Sequence, residues 1–386
     1  MATPSQPPAG GQRAHRDNRS HWWEHFWHRV TEGLELNQLW GQFQSEAKAS
    51  YRLYSRDVDF DRTKGVTKGR RYLDVAKQFF WAFIEKLSPA RRVLLLVAVI
   101  LILWPGGQSN QSNSPAVSFH FLGGLLMFLL LVLEVADRVV MKRDLQIARE
   151  IQAWLLPSSP PEVPGLEIAF ATRPANTVAG DFYDMFPRGA GEGGDKRYLL
   201  AVADVAGKSI PAALLMATFQ ASLRTLSDVP CSLVDLAGSM NRYACKNSQG
   251  GLRFTTAVLG EYDPAGKTLT YINAGHNAPM LRRRAGTLER LEKGGVPLGI
   301  LADAPYEAET VSLESGDWLV IFTDGVVEAI DDADVEYGEE RLIAQINAGA
   351  DFPARAMLSH IMVNLDTFVG NTPQHDDITC MVLKVT

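Results

Sequence analysis

The feature that most constrains this chain is an apolar segment that ends on a carboxylate. Residues 199–203 are all apolar, Asp204 follows at once, and a turn containing Gly207 leads into the segment 211–216. An apolar run of this length before a glycine turn predicts a buried strand, and the residues after the turn favour a helix. The sequence therefore predicts a carboxylate held at the end of a buried strand.

Other aspartates occupy the same kind of position, at the end of a predicted strand. Asp181 begins one strand, Asp324 follows the apolar segment 318–323, and Asp376 and Asp377 precede the closing strand. Clustered carboxylates repel each other without a cation, and hard cations such as Mg²⁺ and Mn²⁺ prefer oxygen ligands. We expect these carboxylates to meet at one dinuclear metal site.

The region 164–386 alternates short strands with helices, which predicts an α+β sandwich. Turns between successive strands are too short for parallel crossovers, so we expect two mostly antiparallel sheets in an α-β-β-α arrangement. The strands are predicted at 166–173, 181–186, 198–205, 254–262, 268–273, 280–283, 318–323 and 378–385, and the helices at 211–226, 232–246, 342–346 and 353–368.

Two apolar runs earlier in the chain predict a transmembrane helical hairpin over residues 90–136. The runs are 93–104 and 116–133, and a span needs roughly 20 apolar residues, so the first run is short. Arginine and lysine flank both ends, while the loop between the runs is uncharged, so both ends are expected in the cytoplasm. The prediction is an inner (cytoplasmic) membrane protein in contact with lipid; the alternative is a buried hairpin of a soluble domain.

The regions on either side of this hairpin differ in character. Residues 1–20 predict a disordered tail, and 21–88 is aromatic-rich, which suits either a helix at the membrane surface or a small soluble helical domain. Residues 137–157 predict a linker helix whose apolar stripe either pairs in a homodimer or docks on the adjacent domain. A Pro-rich linker, 158–164, then begins the C-terminal domain.

Six ordered segments give the chain a recognisable pattern. They are AREIQ with LLP at 148–157, AGDFYD at 179–184, DVAGK at 204–208, NAGHN at 273–277, FTDG at 322–325 and DDIT at 376–379. Together they resemble the SpoIIE/RsbU-type phosphatases of the metal-dependent serine/threonine phosphatase superfamily, type 2C. The resemblance extends over about residues 142–386. Ala179, Ala206, Ser209 and Ala278 depart from the more familiar residues of these motifs.

The resemblance implies roles for residues of this chain. Asp204 is expected to bridge two Mn²⁺ or Mg²⁺ ions, with the Val205 carbonyl supporting one of them. Asp324 and Asp376 are expected to complete the more buried ion and Asp181 to face the second. Asp377 is expected to orient the closing strand or hold a ligating water, with the order of Asp376 and Asp377 open by one residue. Gly207 lets the loop backbone approach the site.

The implied activity is hydrolysis of phosphoserine or phosphothreonine on a protein by water that the two metal ions activate. The implied substrate is a phosphorylated anti-sigma-factor antagonist. The alternative is a signalling scaffold of the same fold that binds its partner without turnover, and His276 is either part of a structural turn or a general acid. A net charge of −6 without a basic groove argues against nucleic acid as a partner.

Overall fold

The computed structural model of the chain describes residues 81, 84, 87–104, 119–188, 196–248 and 253–386. The predicted tail and most of the aromatic-rich region lie outside this range. The chain divides into two compact units, Met1–Ala136 and Asp137–Thr386, and each is considered by itself.

Helices make up the described part of the first unit. Helix α1 is Pro89–Leu103, with proline in its first turn, where the missing N–H of proline costs nothing. Helix α2 is Phe119–Leu155, and its residues up to Ala136 belong to this unit. The structure therefore has a helix over each predicted apolar run.

The two helices of the first unit pack closely through small residues. A Cβ added to Gly123 would lie 2.7 Å from Ile102 Cγ1 and 2.9 Å from the Ala98 carbonyl oxygen, so only glycine fits there. At the other end of the contact, the Arg91 guanidinium is 3.3 Å from the Glu134 carboxylate. These two contacts require α1 and α2 to run antiparallel in this unit.

Of the described helices, only α2 is both long enough and apolar enough to cross a membrane. Helix α1 has 15 residues, which is about 22 Å at 1.5 Å per residue and shorter than the ~30 Å hydrocarbon core. Apolar side chains of both helices are exposed, including Leu103 at 74% and Phe128 at 62%. One long apolar helix is weak evidence for a membrane anchor, and a two-helix hairpin stays a prediction.

The second unit contains two β-sheets with helices outside them. Its elements after α2 are, in chain order, β1 Leu166–Arg173, β2 Phe182–Arg188, β3 Arg197–Val205, α3 Ile210–Ser227, α4 Leu233–Asn247, β4 Thr255–Asp263, β5 Thr268–Ala274, β6 Met280–Arg282, β7 Leu288–Arg290, β8 Gly294–Gly295, β9 Glu309–Ser312, β10 Trp318–Phe322, α5 Asp324–Val327, α6 Gly338–Ala348, α7 Ala354–Val369 and β11 Ile378–Val385.

One sheet has the strand order β1-β11-β10-β6-β7, and the other has the order β2-β3-β4-β5-β8 with β9 also paired to β5. Within the described residues every named strand pair is antiparallel apart from β5 with β8. The predicted α+β fold with two mostly antiparallel sheets is confirmed.

Three apolar cores separate the four layers of the second unit. Met216 and Phe219 of α3 pack on the outer face of the β2–β5 sheet. Tyr183 and Ile321 belong to the core between the two sheets. Ile361 of α7 belongs to the core outside the β10–β11 sheet. This order of layers is the expected α-β-β-α sandwich.

Some short elements were not predicted. Strands β7, β8 and β9 have 3, 2 and 4 residues, and α5 is a single turn of 4 residues. Segments this short show no hydrophobic period and are defined by their pairing partners, so a pattern in the sequence does not reveal them.

The linker helix ends as expected, but its apolar stripe is uncovered. Val140, Ile147, Ile151 and Trp154 are between 46% and 81% exposed. The chain contacts the domain instead through Gln152, which is buried on another face of this turn, and through partly buried Leu156, directly after the helix. Docking on the domain therefore covers the predicted stripe only at its Leu156 end and leaves these four side chains exposed.

Candidate metal centre

The alternation of side chains along the strands brings the predicted carboxylates to one place. In β3, Leu200 and Val202 point into the core between the sheets, so Asp204 points to the same side. Asp181, just before β2, is two residues from Tyr183, so its side chain points to the same face of the sheet. The Tyr183 ring lies in that core. Strand β2 begins where antiparallel β3 ends, so both carboxylates reach one edge of the sandwich.

The other sheet delivers its carboxylates to the same edge. Strand β10 ends at Phe322, and Asp324 follows as the first residue of α5. Strand β11 begins at Ile378, directly after Asp376 and Asp377, and pairs antiparallel with β10. The four motifs that contain these aspartates therefore meet at one edge of the sandwich, between the two sheets.

Asp181 and Asp204 lie in a desolvated environment and act on each other. Asp181 is 1% exposed, and burial, followed by the charge of Asp204, raises its pKa well above the usual range. Burial also raises the pKa of Asp204 to about 7, with further contributions from the charges of Asp324, Asp376 and Asp377. These shifts are those of carboxylates that need a cation to be ionised together.

Asp324 is held at the N-terminus of α5. Burial and then the charge of Asp376 raise its pKa, while the Gly325 backbone N–H and the charge of Lys208 lower it. A Cβ on Gly325 would lie 2.0 Å from the Asp377 carbonyl oxygen. Glycine is therefore required next to Asp324, because the backbones of α5 and of the segment before β11 touch there.

Asp376 and Asp377 point in different directions. The Asp377 carboxylate accepts hydrogen bonds from the backbone N–H groups of Ala175 at 2.7 Å and Gly180 at 2.6 Å. Asp376 is less buried, and its Oδ2 lies 2.8 Å from the Lys208 ammonium. Asp377 therefore ties together two backbone segments, whereas Asp376 keeps an oxygen directed at a cation.

The turn after β3 has an unusual backbone. Val205 is the last residue of the strand and is buried. Gly207 has a φ of +120°, which glycine adopts readily. Ser209 has a φ of 65° and a ψ of −144°, and its side chain makes no capping hydrogen bond to α3. A serine thus stands, without compensation, in a conformation suited to glycine.

Sequence reasoning missed residues that position these carboxylates. Thr323, fully buried, donates a hydrogen bond from its hydroxyl to Asp181 at 2.9 Å and so joins the two sheets. Gln152 of α2 donates from Nε2 to the Ala179 carbonyl at 2.7 Å and accepts from the Ala179 N–H at 2.9 Å. Gln152 lies in the AREIQ segment, so its place in that motif was the available signal.

His276 belongs to a closed turn. The Asn273 side chain donates to the His276 carbonyl at 3.0 Å and accepts from its N–H at 2.7 Å. The imidazole Nδ1 is 2.9 Å from the Thr256 hydroxyl, and burial lowers the pKa of His276 to about 4. A ring that is neutral at pH 7 is poorly suited to be a general acid, which favours the structural interpretation of this motif.

The donor set suits hard divalent cations. The set consists of carboxylates, the ligand type that such cations prefer. Their mutual repulsion helps to raise the pKa values of Asp181 and Asp204, and Asp376 forms an ion pair with the Lys208 ammonium. In the described residues, however, no three His, Cys, Asp or Glu side chains are already arranged to hold an ion. The residue types therefore fit a centre for hard divalent cations.

Comparison with known proteins agrees with these features. The family model described as Stage II sporulation protein E (SpoIIE) matches residues 194–386, which is half of the chain. Phosphoserine phosphatase RsbU of Bacillus subtilis (strain 168) is 29% identical over 247 residues, covering 63% of this chain and 70% of RsbU. Protein IcfG of Synechocystis sp. is 28% identical over 281 residues, covering 66% of this chain but 43% of IcfG, so this chain spans less than half of that relative.

Solved structures share the fold. The SiaA-PP2C domain of Pseudomonas aeruginosa aligns with a TM-score of 0.56 at 21% identity, covering 65% of this chain and 99% of that domain. The PP2C phosphatase domain of SpoIIE from Bacillus subtilis, with a fragment of its regulatory domain, aligns with a TM-score of 0.50 at 17% identity. The alignment covers 57% of this chain and 63% of that chain. The sandwich, the motifs and the match over half of its length place the chain in the SpoIIE family, with the fold of PP2C phosphatase domains.

Proposed function

We propose that this chain is a membrane-anchored, Mn²⁺- or Mg²⁺-dependent phosphatase of phosphoserine or phosphothreonine on a signalling protein. The substrate class that we propose is a phosphorylated anti-sigma-factor antagonist, which the resemblance to SpoIIE/RsbU-type phosphatases implies; the relative named phosphoserine phosphatase RsbU supports phosphoserine as the group that is hydrolysed. The observation that carries the proposal is the convergence of Asp181, Asp204, Asp324 and Asp376 at one edge of the sandwich, where burial raises the pKa of the first three.

The proposed roles follow from where each side chain stands. Asp204 is flanked by the charges of the other carboxylates, which suits a ligand shared by two ions. Asp324 and Asp376 lie beside the ends of β10 and β11 in one sheet, and Asp181 lies just before β2 in the other, which suits ligands to different ions. The carbonyl of Val205 and the open backbone at Gly207 would complete the site. Two bound cations would activate water as the nucleophile and neutralise the phosphoryl oxygens.

Asp376, rather than its neighbour, is proposed as the direct ligand. Both carboxylate oxygens of Asp377 already accept backbone hydrogen bonds, one each from Ala175 and Gly180. Asp377 would instead hold the segments that carry Asp181 and Asp376 in register. These different roles also explain why Asp377 is buried whereas Asp376 is more exposed.

The proposed anchor and dimer use other parts of the chain. The apolar surface of α1 and of the first half of α2 would lie in the inner membrane, with the phosphatase domain in the cytoplasm. The exposed apolar stripe of the linker helix, around Ile147 and Trp154, would pair with the same stripe of a second chain. A signal received by the membrane part would then reach the domain through this helix.

Phosphate release by the full chain in detergent tests the proposed activity. The substrates are p-nitrophenyl phosphate and a seryl-phosphorylated anti-sigma-factor antagonist, each with and without Mn²⁺. We expect turnover that requires the metal, and Asp204→Asn should lower kcat by about 10³-fold or more, because a charged ligand shared by both ions is lost.

Asp332→Asn is the matched control, since Asp332 is an exposed aspartate in the loop before α6 and should leave kcat unchanged. Full activity in Asp204→Asn would contradict the proposed centre. Tight binding of the phosphorylated antagonist with no turnover of either substrate, with or without metal, would favour a binding scaffold of this fold over an enzyme.

A further inference from the structure

Lys208 is the cation that the carboxylate cluster holds in this structure. Its Nζ lies 2.8 Å from Asp376 Oδ2 and donates a hydrogen bond to the His375 carbonyl at 2.6 Å. Among the residues that the structure describes, no other lysine or arginine forms an ion pair with any of the five clustered aspartates. One ammonium therefore offsets part of the negative charge of a centre whose residue types suit divalent cations.

The oxygen that Lys208 contacts is the one a metal ion would need. Asp376 Oδ1 accepts a hydrogen bond from the Asp377 N–H at 2.9 Å, so Oδ2 is the oxygen turned toward a cation. A divalent cation on that oxygen would face the lysine ammonium at close range, and two cations repel each other on one carboxylate. Metal and Lys208 therefore compete for the same group.

The structure also provides a place for the displaced side chain. Lys208 lines a cavity of about 170 Å³ beside Asp376, with Gln374, His375 and Glu328 on its walls. The Lys208 side chain is 55% exposed, so rotation about its stem meets little resistance. Glu328 also lines this cavity and lies within electrostatic reach of Lys208, so its carboxylate can receive the displaced ammonium.

We propose that Lys208 is a built-in competitor of the metal: it occupies the Asp376 side of the centre in the metal-free protein and swings into the adjacent cavity when the ion binds. Lys208 thus stabilises the metal-free carboxylate cluster and weakens metal affinity, so that occupancy of the centre responds to metal concentration. This inference rests on the proposed metal-dependent function, and it assigns control of metal affinity to a residue that is not a ligand.

Isothermal titration of the full chain in detergent with Mn²⁺ tests this inference directly. We expect Lys208→Gln to bind Mn²⁺ with a Kd roughly 1.5-fold to fivefold lower than that of the wild type, the range expected when a partly exposed ion pair no longer has to be broken. Lys208→Arg keeps the charge and should restore the weaker affinity. Lys246→Gln, which removes an exposed lysine at the end of α4, should bind as the wild type does.

Thermal unfolding supplies a second measurement that does not depend on catalysis. With EDTA, Lys208→Gln should melt below the wild type because the clustered carboxylates have lost their counter-ion, and with saturating Mn²⁺ the two should melt together. An unchanged Kd in Lys208→Gln would overturn the inference while leaving the metal centre intact. A wild-type chain that binds no Mn²⁺ would overturn both this inference and the proposed function.

Discussion

At the scale of single residues, the site is governed by the cost of placing several carboxylates in a poorly solvated cleft. Asp204 experiences burial together with the charges of Asp324, Asp376 and Asp377, and its pKa rises to about 7 as a result. An unfolded aspartate titrates near 3.9. Between about pH 4 and pH 7, Asp204 therefore keeps a proton in the metal-free native state that it has lost in the unfolded chain.

Linkage then predicts the pH dependence of stability without metal. A carboxyl with a raised native pKa contributes stability that is fully present below about pH 4 and is lost as the pH rises through about 7. The melting temperature in EDTA should therefore fall between pH 5 and pH 7, and Asp204→Asn should make this fall shallower. Saturating Mn²⁺ should remove most of the fall. A melting temperature in EDTA that rises over this range would contradict the prediction.

Ser209 leads to a second prediction at this scale. Its φ of 65° with ψ of −144° is strained for a residue with a Cβ and costs on the order of 1–3 kcal/mol. Ser209→Gly should therefore raise the free energy of unfolding by about 1 kcal/mol, measured by denaturant or thermal unfolding. Ser239→Gly, inside α4, is the control. It should lower the free energy of unfolding, since glycine weakens a helix interior. Equal destabilisation by both variants would refute the strain at Ser209.

At the scale of elements, a side chain joins the end of the linker helix to the segment that carries Asp181. Gln152 makes two hydrogen bonds to the backbone of Ala179, which is 1% exposed and lies two residues before Asp181. Any displacement of this end of α2 must either break these bonds or move the segment that carries Asp181. The contact is therefore a physical connection between the helix and the site.

Gln152→Ala should leave a buried N–H and a buried carbonyl without partners, at a cost of about 1–3 kcal/mol. We expect a lower melting temperature and faster hydrogen exchange at the Ala179 amide. Gln146→Ala, an exposed position on the same helix, should change neither. Unchanged exchange at Ala179 in Gln152→Ala would show that other contacts hold this segment.

At the scale of the whole molecule, the chain joins units of different character. The described helices of the first unit expose apolar side chains along their length, whereas the second unit buries its apolar residues in three cores. Exposed leucine and phenylalanine on this scale require a cover that is apolar, and lipid is the cover that we propose.

The wild-type chain should stay in the membrane pellet after an alkaline carbonate wash and should require detergent for release. Lysine in place of Leu125, Phe128 and Leu131 together should move most of the protein to the supernatant, because each charge is costly in the hydrocarbon core. Val139→Lys, beyond the proposed span, should leave the protein in the pellet. Wild-type protein in the carbonate supernatant would refute the membrane anchor.

By itself, the sequence determined the strands that end on aspartates, the antiparallel α+β sandwich and the linker helix, because local period, turns and helix breakers encode them. Only the tertiary structure decided what holds each carboxylate. Thr323 reaches Asp181 from 142 positions away, and Lys208 reaches the His375 carbonyl from 167 positions away. Such contacts leave no pattern along the chain, because their geometry exists only after the two sheets have packed.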